Sequence, residues 1–87
     1  LALDLNRLLV RQPASTFLFR VAGHHWAGQG IYDGDVAVVD RALRPKDSDL
    51  VVAVQSGNLV LCRRQRLVPQ DDLWGVVTAV IHQFRRS

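Results

Sequence analysis

The chain has no methionine, no glutamate, one cysteine and one lysine, and aromatic residues fill only 7% of its 87 positions. A lone cysteine, Cys62, rules out an intramolecular disulfide and fits a reducing compartment. Apolar runs stay far below the roughly 18 residues that a membrane span requires, and no charged-then-apolar leader opens the chain. A cytoplasmic location with no membrane contact is therefore expected. With Lys46 the sole lysine, the net charge of +3 comes from ten arginines set against eight aspartates. That bias reads first as composition and only second as an anion-binding surface, and the clusters Arg63-Arg64-Gln65-Arg66 and Arg85-Arg86 are expected to be solvated faces. The chain opens at Leu1 and not at a methionine, so residues upstream are expected to have been lost.

What is present is a globular composition, 48% hydrophobic and rich in valine and leucine. Residues 1–87 make one small domain, near the size at which burial barely offsets chain entropy, so dimerisation would help it. The stretch Ala22 to Asp40 organises the rest. It packs Gly23, Gly28, Gly30 and Gly34 together with His24, His25, Trp26 and Tyr32, then runs into the apolar strand Val36 to Asp40. A loop that dense in glycine bends where residues with a β-carbon resist, and it positions something.

Upstream, Asp4 caps a short helix predicted over residues 4–12 with its leucines on one face, ended by Pro13. Thr16 to Val21 is a strand, placing Phe17, Phe19 and Val21 on one side. Downstream, Leu50 to Gln55 and Leu59 to Arg63 flank a hairpin turn at Ser56-Gly57-Asn58. Arg41 to Asp49 and Gln65 to Asp72 are polar connections. Trp74 to Phe84 is the longest strand, with Val76, Thr78, Val80, His82 and Phe84 alternating against Val77, Ala79, Ile81 and Gln83. Both of its faces are apolar near the middle, so it is expected to be buried on both sides, in the core or at a subunit interface. The fold class is mostly β, a body over residues 16–84 led by one helix.

Familiar site chemistries fail on spacing. Gly28-Gln29-Gly30 lacks the third glycine and the following helix of a dinucleotide fingerprint, and the one lysine lies too far from the glycines for a phosphate loop. His24, His25 and Cys62 do not form a ligand set, because adjacent histidines on an extended segment point apart, so no metal and no cofactor is expected. Asp33 and Asp35 are expected to stabilise a turn and not to act as an acid–base pair. His82 is expected on the flank of its strand, half-buried.

The order of pieces resembles the LexA/UmuD family, whose C-terminal domains are serine–lysine self-cleaving peptidases. Phe19-Arg20-Val21-Ala22-Gly23, then Gly30-Ile31-Tyr32-Asp33-Gly34-Asp35 and Val38-Val39-Asp40, is similar to the family loop, in which G-D-S-M precedes G-I-x-D-G-D and a valine-rich strand. Leu3 to Leu9 through Pro13 and Thr16-Phe17 is similar to the entry into the UmuD body, and Trp74-Gly75-Val76-Val77 to the closing W/F-G-V-V strand. The resemblance implies a fold of small coiled antiparallel sheets like those of LexA and signal peptidase. It places His25 at the family serine and Cys62 at the family lysine, so neither catalytic residue is intact. Gly23, His24, Trp26, Gly28, Gly30 and Gly34 then shape a former site. The arm carrying the cleavage site precedes the family body and does not fall within the sequence, so the resemblance is expected to be to the processed form UmuD′. The stretch between Arg63 and Asp72 is short relative to the family.

The expected function is that of a degenerate UmuD′-like domain that acts by protein binding in the SOS response and mutagenic translesion synthesis. The resemblance implies a homodimer, with Val76, Thr78, Val80, His82 and Phe84 as the candidate dimer strand, a Y-family DNA polymerase as partner and the RecA filament as a further one. One alternative is a peptidase of exchanged roles, Cys62 the nucleophile and His25 its base. Against it stands drift, with Cys62 a small buried hydrophobe and Trp26 filling the old cleft. Another alternative is a basic nucleic-acid-binding domain, set lower because the aromatic residues are not interleaved with the arginines as a stacking platform needs.

Overall fold

The computed structural model describes residues 13–85. The helix expected over residues 4–12 lies outside them, and Pro13, expected to end it, opens a 3-10 turn, Pro13–Ser15. Five strands follow: β1 (Thr16–Arg20), β2 (Val36–Asp40), β3 (Leu50–Gln55), β4 (Asn58–Arg63) and β5 (Asp72–Ile81). They form one antiparallel sheet in the order β1-β2-β5-β3-β4, so the class is mostly β as expected.

The hairpin turn is tighter than its three polar residues suggest. Gln55 pairs with Asn58, leaving Ser56 and Gly57 as a two-residue turn, with φ of 51° and 81°. Two positive φ values match the right-handed twist of the flanking strands, and that twist is why the short turn wins.

β5 joins the sheet by changing partners along its length. Residues 72–76 pair with β3 and residues 76–81 with β2. Each handover carries an extra residue. Val39 pairs with Val77 and Val38 with Ala79, so Thr78 is bulged; Val52 pairs with Gly75 and Ala53 with Leu73, so Trp74 is bulged. A bulge breaks the period of two. Val77 and Val80 consequently join the same core cluster, which includes Val21, Ile31, Ala37, Val39, Leu50 and Val52.

This corrects the expectation for the last strand. Val76, Thr78, Val80, His82 and Phe84 do not share a face, the strand ends at Ile81, and it starts two residues earlier than Trp74. His82 and Phe84 lie beyond it and Phe84 is 97% exposed, so the burial expected on both sides holds for Gly75 and Val76 only.

At the other end of the sheet, Asp40 ties β1 to β2. It is buried, and its Oδ1 accepts from Ser15 Oγ at 3.0 Å and from the Ala42 amide at 2.8 Å. The polar connection from Arg41 to Asp49 then crosses back to β3, closed by the Lys46 amide donating to Asp49 Oδ2 at 2.8 Å.

Candidate functional site

The loop between β1 and β2 is knotted at its base by two aspartates. Asp33 Oδ1 accepts from the Gly23 amide at 2.8 Å, and Asp35 Oδ2 accepts from the Tyr32 amide at 2.8 Å. Backbone bonds from Val21 to the Asp35 carbonyl and from Gly34 to the Val21 carbonyl, both 2.8 Å, close the ring. The aspartates therefore stabilise a turn, as their spacing suggests. Above this base the chain winds through a 3-10 turn, Ala27–Gln29, capped by Gly30 in the left-handed region at φ 82°. Gly23 and Gly34 also take positive φ, whereas Gly28 does not and meets nothing within 4 Å where a β-carbon would stand. Gly28 is thus not needed to bend the loop, contrary to expectation.

The winding sets His25 and Trp26 over the sheet. Trp26 packs against the core cluster, and His25, exposed, stands edge-on to it at 5.7 Å and 79°. Although β1 and β4 are opposite edges of the sheet, the loop brings them to one groove. Its apolar half, about 420 Å³, is lined by Phe19, Val21, Trp26, Leu59 and Leu61, with Arg20 and His25 at its margin. Its polar half, about 450 Å³, holds His25, Trp26, Gln29, Cys62, Arg63 and Arg66.

His25 and Cys62 therefore both border the polar half. No hydrogen bond joins them among the described residues, and Cys62 is half-buried. Burial pushes its thiol pKa up, and the negative charge of Asp71 pushes it further. The site does the reverse of activating a nucleophile, which needs a depressed pKa or an aligned base. Alkylation of Cys62 by iodoacetamide at neutral pH is expected to run slower than that of a free cysteine, and to accelerate only as pH rises through the elevated pKa. A neutral-pH rate equal to or above the free thiol would mean that the groove does activate it.

One pair was not foreseen. Asp35 is 1% exposed, and its Oδ1 lies 2.5 Å from His82 Nδ1. His82 is thus not a flank residue of a strand but follows β5 and closes onto the loop base, with Tyr32 and Phe84 rings each 5.3 Å from its own. The partners are 47 residues apart in sequence and no spacing rule joins them. Among the described residues no cluster of three or more His, Cys, Asp or Glu could hold a metal ion. No helix among them is long and apolar enough to cross a membrane.

A family model described as peptidase S24-like matches residues 2–74. The chain belongs to this family. Protein SamA of Salmonella typhimurium is 35% identical over 101 residues, spanning 98% of this chain and 72% of that protein. Protein ImpA of Escherichia coli is 37% identical over 101 residues, spanning 95% of the chain and 70% of the relative. The LexA repressor of Clostridium acetobutylicum is 30% identical over 63 residues, 72% of this chain but 30% of the repressor. These matches place the S24-like domain in the LexA/UmuD family that its glycine loop resembles. An aligned stretch of 101 positions exceeds the 87 residues here, so SamA and ImpA carry internal residues that this domain lacks.

Proposed function

We propose that this domain is a UmuD′-like accessory of the SOS response and mutagenic translesion synthesis, cytoplasmic, and working by protein binding after losing self-cleavage. The observation that carries the reading is the groove wall itself. At the positions where the family resemblance puts serine and lysine stand His25 and Cys62, unbonded to each other, the thiol held protonated by burial and Asp71. A serine–lysine dyad needs a hydroxyl aligned with a neutral amine. The only lysine, Lys46, is exposed on the connection before β3, and no serine falls between residues 22 and 35. Trp26 contributes to the walls of both halves of the groove.

A homodimer is supported by β5. Over residues 77–81 its second edge pairs with no strand among the described residues, and an open edge of apolar residues invites a partner strand. Exposed Ile81 and Phe84 lie at that end. A second copy aligned antiparallel would cover the edge by two-fold symmetry. By family resemblance the other partners are a Y-family DNA polymerase and the RecA filament.

The test is the intact mass of the longest natural form, incubated with and without activated RecA filament at neutral and alkaline pH. The expected result is one unchanged mass under every condition, in the wild type and in Cys62→Ala alike. A shorter product that vanishes in Cys62→Ala or His25→Ala would overturn the reading and mean that the peptidase site has been rebuilt.

A further inference from the structure

The two halves of the groove share His25, Trp26 and Leu61 in their linings and so adjoin along these residues. No carboxylate is among the residues that line the polar half, and neither Arg63 nor Arg66 is in an ion pair among the described residues, although Asp71 is close enough to act on Cys62. Arg63 is fixed there: Nη1 donates to the Ser48 carbonyl at 3.1 Å and Nη2 to Gln29 Oε1 at 2.6 Å. Both acceptors are neutral, so the guanidinium keeps its charge and has N–H donors to spare. Arg20 lines the apolar half only, its Nη1 held by the Gly34 carbonyl at 2.9 Å. The rings of His25 and Trp26 line both halves, and that of Phe19 lines the half that holds Arg20. The fold thus gathers the β1 pair Phe19-Arg20, the loop rings His25 and Trp26, and Arg63 and Arg66 around adjoining cavities.

A ligand suited to this furrow carries negative charge at intervals and flat apolar surface between the charges. We propose that the groove binds a short stretch of single-stranded nucleic acid, with phosphates on Arg20 and on the Arg63–Arg66 end and a base stacked at the His25–Trp26 rings. An acidic peptide would satisfy the cations but offers no flat face to the rings, whereas every nucleobase has one. Binding of this kind tolerates sequence and falls steeply with salt. The site stands apart from the protein-binding reading, since it needs neither a partner nor a second copy.

The test is fluorescence anisotropy of the whole protein with fluorescein-labelled oligo-dT and oligo-U of about 20 nucleotides, beside a labelled poly-aspartate peptide, across salt from about 50 to 200 mM. Oligonucleotide binding is expected to weaken with a log–log slope of about −2, the value for roughly three phosphates on a single strand. Arg66→Glu is expected to weaken it about tenfold or more and to flatten the slope, because a counterion-releasing contact is lost. His25→Ala is expected to weaken it about fivefold with the slope unchanged, because the ring is a stacking contact to a base and not a contact to a phosphate. His25 is chosen because it is exposed, whereas Trp26 also packs on the core. Arg44→Glu makes the same charge change at an exposed residue outside the groove, and less than about a twofold effect is expected. Binding of either polymer supports the proposal, and the tighter one names its natural source. Absence of binding at low salt, an equal loss from Arg44→Glu, or a peptide bound as tightly as the oligonucleotides would overturn it.

Discussion

Asp35→Ala is expected to lower the free energy of unfolding by about 2–3 kcal/mol, the scale of leaving hydrogen-bonded partners of a buried charged group unsatisfied. The carboxylate is buried, and its two oxygens serve different parts of the chain, Oδ2 the Tyr32 amide and Oδ1 the His82 ring. Its backbone serves a third, since the Asp35 carbonyl accepts from the Val21 amide at the end of β1. Removing the side chain leaves the Tyr32 amide without its acceptor in a partly buried site. His82 is different. Its side chain is 41% exposed, so water takes over much of what it loses, and His82→Phe, which keeps ring contacts to Tyr32 and Phe84, is expected to cost only about 1 kcal/mol. In a domain this small a loss of 2–3 kcal/mol lowers Tm by roughly 10–20 °C. Urea denaturation of the three proteins reads the order directly, through midpoints at constant slope. Equal midpoints for Asp35→Ala and the wild type would show that the loop base holds without the carboxylate. The same substitution should loosen the loop that carries His25 and Trp26, because both of its ends are fastened at Val21 and Asp35.

Much of this fold was legible locally. The strands at Val36 to Asp40 and Leu50 to Gln55 are continuous apolar runs bounded by polar turns, and both appear with the expected ends. Gly23, Gly30 and Gly34 sit where the backbone needs positive φ. Gly28 misled because composition cannot tell a glycine that bends the chain from one that merely lies in a bend. The last strand misled for a deeper reason. Alternation assumes one register from end to end, and β5 keeps two, one against β3 and one against β2, with Trp74 and Thr78 absorbing the difference. Where one strand leaves off and the other begins is a property of the sheet, absent from the local pattern.

The site divided in the same way. His25 and Cys62 do line one groove, but from sequence Arg63 and Arg66 read as part of a solvated cluster, because no ring lies near them along the chain. Gln29 was no candidate at all, yet it orients Arg63. The signal that could have singled out Asp35 is its place at the end of the G-I-x-D-G-D run, directly before the apolar run Val36 to Val39. An aspartate entering the core there needs a donor from elsewhere, and His82 is the donor that the topology supplies when β5 runs antiparallel to β2.

The second large effect is expected at Gly75, where the handover of β5 leaves no room for a side chain. A β-carbon built there would stand 2.6 Å from Val39 Cγ1, 3.4 Å from Arg41 Cγ and 3.5 Å from the Asp40 carbonyl. Arg41 is a flexible exposed side chain and can yield. Val39 cannot, being fully buried in the core cluster. The φ of Gly75 is not positive, so alanine suits the backbone and would stiffen the unfolded chain, a gain of about 0.4–1 kcal/mol. Overpacking a filled core costs about 1–3 kcal/mol, so the clash outweighs the gain and Gly75→Ala is expected to destabilise by about 1–2 kcal/mol. Trp74 gives the displacement a local readout. Its ring lies under the Arg41 guanidinium at 4.5 Å and edge-on to Phe17 at 5.5 Å, and its carbonyl accepts from Arg41 Nε at 2.9 Å. A β5 pushed off Val39 should shift its emission. Val39→Ala removes the clashing methyl at the price of a cavity, about 2 kcal/mol or more when made alone. Made together with Gly75→Ala, the new methyl enters the space that Val39 vacates, and the double variant is expected to be more stable than the sum of the two losses by about 1 kcal/mol. Strict additivity across the cycle would mean that Gly75 and Val39 do not compete for the same space, and that β5 crosses the sheet with more room than these distances allow.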